Sequence, residues 1–256
     1  MQKFFLVYNK NIPVKKNWGQ NFLIDQNTIN KIIEIINPRK NEDILEIGPG
    51  HGALTEKILP LCKNLYAIEI DPLLCERLKN KPNIKLKIFN EDILKWEHKV
   101  TNQNKIKIVG NLPYYITSPI IFKFLKYDYW NKMTIMVQKE VAQRIISEYN
   151  NKNYSRISVM CQTFCQIDYN IDVSRNSFYP KPKVDSSVIT FKKTNKKIDI
   201  NNYTLLIKRS FSQRRKTLKN NLKKYVDLDL IKNYKLKRPQ ELTVADYINL
   251  YKKIYI

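Results

Sequence analysis

The segment Val109-Gly110-Asn111-Leu112-Pro113-Tyr114-Tyr115 collects the residue types needed to hold an aromatic amine still while its nitrogen is alkylated. The exocyclic nitrogen of adenine is a poor nucleophile, because its lone pair is delocalised into the ring. The Asn111 side-chain oxygen can accept one amino hydrogen, and the Leu112 carbonyl, presented by a turn at Pro113, can accept the other. Two acceptors at one nitrogen favour the tetrahedral geometry of attack. Tyr114 adds a flat apolar face for an extruded base, a contact worth about 1 to 3 kcal/mol per base. Attack on a sulfonium methyl needs neither a metal nor a strong base, so positioning and electrostatics carry the chemistry. Asn-x-Pro-Tyr also occurs as an ordinary turn, so its weight depends on the loops that accompany it.

The chain has only five glycines, and three of them fall in Glu46-Ile47-Gly48-Pro49-Gly50-His51-Gly52. Such a cluster at the end of a strand marks backbone that needs positive φ or close approach to a ligand. Gly48, Gly50 and Ala53 also satisfy a dinucleotide pattern, with Glu69 about 20 residues on. The loop by itself therefore leaves NAD and S-adenosylmethionine open, because either carries a ribose whose hydroxyls a carboxylate at Glu69 would hold. Asp92, after the next strand, is placed to accept from an adenine amino group or to cap a helical turn.

These loops need a frame. Short apolar strands near 43 to 47, 65 to 70, 84 to 89, 105 to 109 and 133 to 137 alternate with helical segments near 53 to 60, 72 to 80, 117 to 126 and 138 to 148. That alternation predicts a parallel sheet covered on both faces. Ile29, Ile32, Ile33 and Ile36 predict a preceding helix, ended by Asn37-Pro38. A helix near 154 to 165 and an antiparallel pair near 167 to 173 and 184 to 191 complete about seven strands in a doubly wound, Rossmann-like α/β fold. Residues 1 to 17 read as a mobile basic arm, 18 to 195 as the catalytic domain, 192 to 202 as a polar linker, and 200 to 256 as a small all-helical domain.

Six segments in order resemble the small-subunit ribosomal RNA adenine dimethyltransferases. They are Gly19-Gln20-Asn21-Phe22-Leu23, Gly48 to Thr55, Gly110 to Tyr114, Gln138-Lys139-Glu140-Val141-Ala142, Phe178 to Ser186 and Phe211 to Leu218. The resemblance covers residues 17 to about 250. It implies a class I methyltransferase domain that uses S-adenosylmethionine. Its substrate would be two adjacent adenosines in a hairpin loop near the 3′ end of small-subunit RNA, in an immature small ribosomal subunit. It further implies that Asn21, Leu23, Gly48, Glu69, Asp92 and Asn111 contact the methyl donor, with Gly50 and Gly52 in the same loop, and that Phe178 stacks on the target base opposite Tyr114. Trp18 stands where the family usually has Phe, and the chain ends soon after Tyr251, so a longer family tail is expected to be absent.

Composition agrees with a polyanionic partner. Lys and Arg number 46 against 23 Asp and Glu, a net charge of +23, and nucleic acid is favoured over membrane because no basic amphipathic anchor is evident. An AT-biased genome would favour Lys over Arg, but not this two-to-one excess. Residues 201 to 256 hold 14 Lys and Arg against 4 Asp and Glu. Residues 203 to 224 read as one helix with Ile207, Phe211, Leu218 and Leu222 on its apolar face. Arg214, Arg215, Lys216, Lys219 and Lys223 are the candidate RNA contacts, Arg214 reaching toward the catalytic domain or RNA. Shape recognition of a folded RNA is the expected mode. The four cysteines show no Cys-x-x-Cys pair and are not spaced with His51 or His98 as zinc ligands, so reduced buried thiols and no metal are expected. Without a long apolar run, a soluble, cytoplasmic, monomeric protein is expected. Three rivals remain on the residues: a large-subunit ribosomal RNA adenine methyltransferase of the antibiotic-resistance type, which generally has Ile at the place of Leu112; a non-catalytic RNA-binding assembly or transcription factor; and a dinucleotide oxidoreductase.

Overall fold

A computed structural model describes residues 4–7, 10–13, 19–80, 83–97 and 105–256. Trp18 and His98 lie outside the described residues. Within the arm expected to be mobile, β1 (Phe4–Val7) and β2 (Lys10–Pro13) pair antiparallel. Phe4, Phe5 and Val7 are residue types that favour an extended backbone.

Short strand β3 (Phe22–Leu23) and helix α1 (Gln26–Ile36) lead into the sheet. Asp25 caps α1 by accepting from the Thr28 N–H, and Asn37 in the left-handed region ends it. The alternation then runs β4 (Asp43–Ile47), α2 (Thr55–Ile58), β5 (Asn64–Glu69), α3 (Pro72–Lys79), β6 (Leu86–Asn90), β7 (Ile106–Asn111), α4 (Thr117–Leu125), β8 (Trp130–Gln138), α5 (Lys139–Ile146) and α6 (Arg156–Phe164). After it come β9 (Cys165–Val173), β10 (Phe178–Tyr179) and β11 (Ser186–Lys193), and then helices α7 (Ile200–Ser210), α8 (Leu218–Leu222) and α9 (Val244–Tyr255).

Seven strands form one sheet in the order β6-β5-β4-β7-β8-β11-β9. The first five are parallel and β11 runs antiparallel to β8. Every residue of β4 is buried, as expected for a central strand covered on both faces. Because β4 lies between β5 and β7, successive connections leave it in opposite directions, and a crevice opens beyond the carboxyl ends of the strands. A core of Ile29, Ile32, Ile36, Ile44, Leu65, Val109 and Val188 holds α1 and α2 on the sheet. No basic residue occupies the last turn of α1. Two lysines from the sheet supply that charge: Lys107 Nζ donates to the Asn37 carbonyl at 2.7 Å and Lys132 Nζ to that of Ile35 at 2.7 Å.

Two compact units emerge, residues 1–139 with 168–192 and residues 140–167 with 193–256. One division falls at 192/193, where the polar linker at 192 to 202 begins, but residues 140–167 join the second unit, since α6 packs with α7 and α9. Seven of the nine residues of α6 are buried, so it can serve only as the centre of a core. In the second unit that core is aromatic. Tyr203 shares a hydrogen bond with Thr163 at 2.9 Å and meets Phe164 and Tyr251 edge-on.

The expected single helix over 203 to 224 is two helices. Residues 211 to 217 turn between α7 and α8, and the Asn221 side chain donates to the carbonyls of Ser210 at 2.6 Å and Gln213 at 3.1 Å. Those bonds satisfy carbonyls that a continuing helix would have used itself. The apolar spacing survives the break, with Ile207, Leu218 and Leu222 all buried.

Candidate active site

All four loops singled out in the sequence leave the carboxyl ends of neighbouring strands: Gly48 follows β4, Glu69 ends β5, Asp92 follows β6 and Asn111 ends β7. They enclose a cavity of about 550 Å³, within the range that holds a nucleoside-sized ligand. Its walls include Asn21, Leu23, Gly48, Gly50, Gly52, Glu69, Asp92, Asn111, Leu112, Pro113 and Tyr114.

The glycine loop is shaped by its neighbours. Gly48, Gly50 and Gly52 all have positive φ. At Gly50 (φ +57°) a Cβ would also stand 3.1 Å from the Phe22 ring, so a side chain is strained there and crowded as well. The Gly50 N–H donates to Glu69 Oε2 at 3.1 Å, and the Asp71 N–H donates to Oε1 at 2.9 Å. Glu69 is therefore fixed by one backbone donor on each oxygen, while each oxygen keeps lone-pair capacity for a ligand hydroxyl. Burial raises its pKa against those two bonds. Asp92 lines the cavity, and its Oδ1 accepts from the Leu94 N–H at 2.9 Å. The capping role open to it is thus present in a residue that lines the cavity.

Asn111 follows Gly110, which lies opposite Ile47 of β4 in the sheet register. A Cβ on the preceding Gly110 would lie 2.6 Å from the Ile47 carbonyl oxygen, which excludes any other residue without a shift of the strand. Asn111 Nδ2 donates to the Asn21 carbonyl at 2.9 Å. A carbonyl can only accept, so this contact sets which end of the amide is nitrogen and leaves Oδ1 as an acceptor for something else. Asn21 in turn belongs to a strap held elsewhere by Gln20, whose amide donates to Asp71 at 3.0 Å, and by the pairing of β3 with β10. Pro113 accepts from the Ile116 N–H at 3.2 Å, closing the turn that carries Tyr114 and Tyr115. Tyr114 is half-buried, with its hydroxyl 2.7 Å from Ser186 Oγ.

One of the expected site residues is not brought to the cavity. Phe178, carried over from the resemblance as a base-stacking partner of Tyr114, is 2 % exposed and packs in the hydrophobic core with Leu23, Ile29 and Val188. Its ring is enclosed by those core neighbours, so this conformation offers no open face to a base.

Sequence reasoning passed over Glu46 and the environment of His51. Glu46 lines the cavity at 1 % exposure, and its Oε2 accepts from Thr55 Oγ1 at 2.7 Å. Burial, reinforced by the nearby Glu69, pushes its pKa up to about 7. The signal was an acid inside the apolar run Asp43-Ile44-Leu45-Glu46-Ile47. His51 packs against Phe22 with ring centroids 3.9 Å apart, and its Nδ1 lies 3.1 Å from Arg77 Nη1. Guanidinium only donates, so Nδ1 accepts and the neutral ring carries its proton on Nε2. Burial and Arg77 together press its pKa down to about 4.

The candidate RNA contacts lie in the second unit. Arg215, Lys216, Lys219 and Lys223 are exposed, the first two on the turn between α7 and α8. Arg214 donates from Nη2 to the Asn151 carbonyl at 3.2 Å, a partner inside its own unit. The four cysteines are free and buried, as expected, and burial raises the Cys62 and Cys75 thiols to about 11.

The family model "Ribosomal RNA adenine dimethylase" matches residues 11–254. The chain belongs to that family. It is 45% identical, over 94% of its length and 96% of the relative's, to the ribosomal RNA small subunit methyltransferase A of Mycoplasma mobile. Identity to the protein of that name from Chlorobium phaeobacteroides is 40%, over 95% of this chain and 94% of the other. Among solved structures, a dimethyladenosine transferase from Plasmodium falciparum superposes with a TM-score of 0.79 at 27% identity, covering 90% of this chain and 95% of that one. The 23S ribosomal RNA methyltransferase ErmE shares the fold, with a TM-score of 0.69 at 23% identity over 91% of this chain and 99% of that one. The seven-stranded sheet is that of a Rossmann-like class I methyltransferase.

Proposed function

We propose that this protein is a small-subunit ribosomal RNA adenine dimethyltransferase, transferring methyl groups from S-adenosylmethionine to the exocyclic nitrogens of two adjacent adenosines. Belonging to the family and similarity to relatives of that name support the reading. The observation that carries the chemistry is the Asn111 amide, whose nitrogen is committed to Asn21 and whose oxygen is left to accept at the cavity.

The donor fits the residues present. A ribose can be held by the twice-anchored Glu69, an adenine by Asp92, and a cationic methionine portion by Glu46, whose pKa of about 7 would be drawn down by a cation beside it. The glycine loop lets backbone approach where side chains would collide. When bound, S-adenosylmethionine supplies a methyl group on a positively charged sulfur. Asn111 Oδ1 and the Leu112 carbonyl then each hold one hydrogen of the target amino group, turning its lone pair out of conjugation. Tyr114 supports the ring by stacking, and Pro113 sets the turn that places both. The strap from Gly19 to Ile24 forms one wall of the cavity.

The domain roles follow: residues 18 to 195 carry the methyltransferase and 200 to 256 a helical RNA-binding part, to which α5 and α6 contribute packing. Arg214, Arg215, Lys216, Lys219 and Lys223 would contact phosphates of an immature small subunit, and the protein would act in the cytoplasm as a monomer. No helix among the described residues is long and apolar enough to cross a membrane.

Purified protein with labelled donor and small subunits lacking dimethyladenosine should yield N6,N6-dimethyladenosine at two neighbouring positions, read by mass spectrometry of digested RNA. Label in large-subunit RNA instead would favour the antibiotic-resistance reading. No transfer despite tight RNA binding would favour a non-catalytic assembly factor.

A further inference from the structure

Tyr114 has a partner that neither its motif nor the chemistry of adenine methylation requires. Ser186, the first residue of β11, is fully buried and lies opposite Gln138 of β8 in the sheet register. Its Oγ is 2.7 Å from the Tyr114 hydroxyl. The residue before it is held from two sides: the Asp185 carbonyl accepts from the Lys139 N–H at 3.0 Å, and its carboxylate accepts from the Arg175 N–H at 2.9 Å. Ser186 is therefore a fixed point on the sheet. A buried hydroxyl in a strand is costly unless it is paired, and the tyrosine hydroxyl pairs it.

The consequence for the ring is geometric. Its Cβ end is set by the turn at Pro113 and its oxygen end by Ser186, so the long axis of the ring is held at both ends. We propose that Ser186 is a positioning residue for the reaction, anchoring the Tyr114 hydroxyl so that the ring is already presented when an extruded adenine arrives. This rests on the reading of Tyr114 as the stacking platform. A ring ordered during folding does not have to be ordered when the base binds, and the saving appears in the stacking of the base and through it in the observed rate of transfer. Burial raises the Tyr114 pKa above the ordinary phenol value, with Asp185 adding to it and the Ser186 bond opposing it, so the hydroxyl stays neutral at physiological pH.

The test uses the full chain with Ser186→Ala, Tyr114→Phe, the double variant and Tyr114→Ala. Single-turnover methyl transfer, donor affinity and melting temperature are followed for each. Quenching of 2-aminopurine placed at the target adenosine reports stacking. Loss of one buried hydrogen bond predicts about a ten-fold slower transfer for Ser186→Ala, with unchanged donor affinity and weaker quenching. The double variant should be no slower than Ser186→Ala, since both substitutions remove one bond. Tyr114→Phe guards against a misfolded serine variant, because it keeps the ring and deletes only the hydroxyl. Wild-type rate and quenching in both single variants, or losses that multiply in the double variant, would overturn the proposal. If Tyr114→Ala abolishes transfer while Ser186→Ala is unaffected, only the anchoring is wrong. If Tyr114→Ala transfers normally, the stacking platform itself is wrong and the anchor falls with it.

Discussion

The loop at Asn111 to Tyr114 and the basic stretch at Arg214 to Lys223 are both candidate RNA-contacting regions, built on opposite physical terms. In the first, the polar ends of Asn111 and Tyr114 are committed: Asn111 Nδ2 to Asn21 at 2.9 Å and the Tyr114 hydroxyl to Ser186 at 2.7 Å. In the second, Arg215, Lys216, Lys219 and Lys223 are exposed long side chains. Methyl transfer depends on sub-ångström placement, which only pre-made contacts supply. Phosphate attraction depends on charge and distance, and tolerates mobile ends.

That contrast can be broken most directly at Asn111. Asn111→Ala removes the acceptor proposed for the target amine, and should slow transfer by about 10² to 10³, the scale for deleting one positioned polar group, while RNA affinity stays within about two-fold. A filter-binding assay beside a transfer assay separates the two; equal losses in both would erase the division of labour.

Phe178 and Tyr114 sharpen it within the first unit. Because the Phe178 ring is 2 % exposed in the core, Phe178→Ala should cost about 3 to 5 kcal/mol of stability. Tyr114→Ala, at a half-buried position, should lose transfer with a far smaller change in denaturant midpoint. A stable but inactive Phe178→Ala would mean that the ring leaves the core to meet a base, as the resemblance implies.

On the basic stretch, combined Lys216→Ala, Lys219→Ala and Lys223→Ala should weaken RNA binding and flatten its dependence on salt by about 0.7 to 0.9 in log–log slope for each phosphate no longer bound. Transfer at saturating RNA should persist. An unchanged salt slope would remove these three lysines from the interface.

The smallest effects concern pH. Glu46, raised to about 7, keeps its proton in the fold where the unfolded chain has lost it, so from about pH 4.5 to 7 its contribution makes stability fall as pH rises. His51, lowered to about 4, stays neutral in the fold where the unfolded chain is protonated, so between about pH 4 and 6.5 its contribution makes stability rise with pH. The two oppose each other across the overlap. Glu46→Gln should leave stability climbing with pH up to about 6.5, and His51→Gln should leave it falling toward pH 7, each by at most about 1.4 kcal/mol per pH unit. Parallel slopes in the two variants, measured by chemical denaturation across pH, would contradict the pairing.

Much of the fold was legible because its signals are local. The apolar runs that became β4, β5 and β8 and the spacing that became α1 repeat over a few residues, and the glycine cluster announced backbone that other residues avoid. Where a reading failed, the deciding contact came from elsewhere in the chain or from the wrong range of it. Residues 203 to 224 keep helical spacing throughout, yet Asn221 takes the carbonyls of Ser210 and Gln213 and stops α7. The polar linker at 192 to 202 begins where the units divide, but its position along the chain does not reveal that α6, upstream of it, packs with the helices beyond it.

The candidate site residues divide along the same line. Which residue types are offered for the chemistry, and in what order along the chain, was legible in the sequence: Gly48 to Gly52, Glu69, Asp92 and Asn111 to Tyr114 each stand at or just past the end of a strand. Only the tertiary structure decided how each is held. The amide of Asn111 is oriented by a residue 90 positions away, Tyr114 is anchored by one 72 away, and Phe178 is drawn into the core by a strand pairing with Leu23. A motif records the demands of backbone and chemistry at one place. The partner that satisfies them is chosen by the closing of the sheet, and no spacing along the chain encodes it.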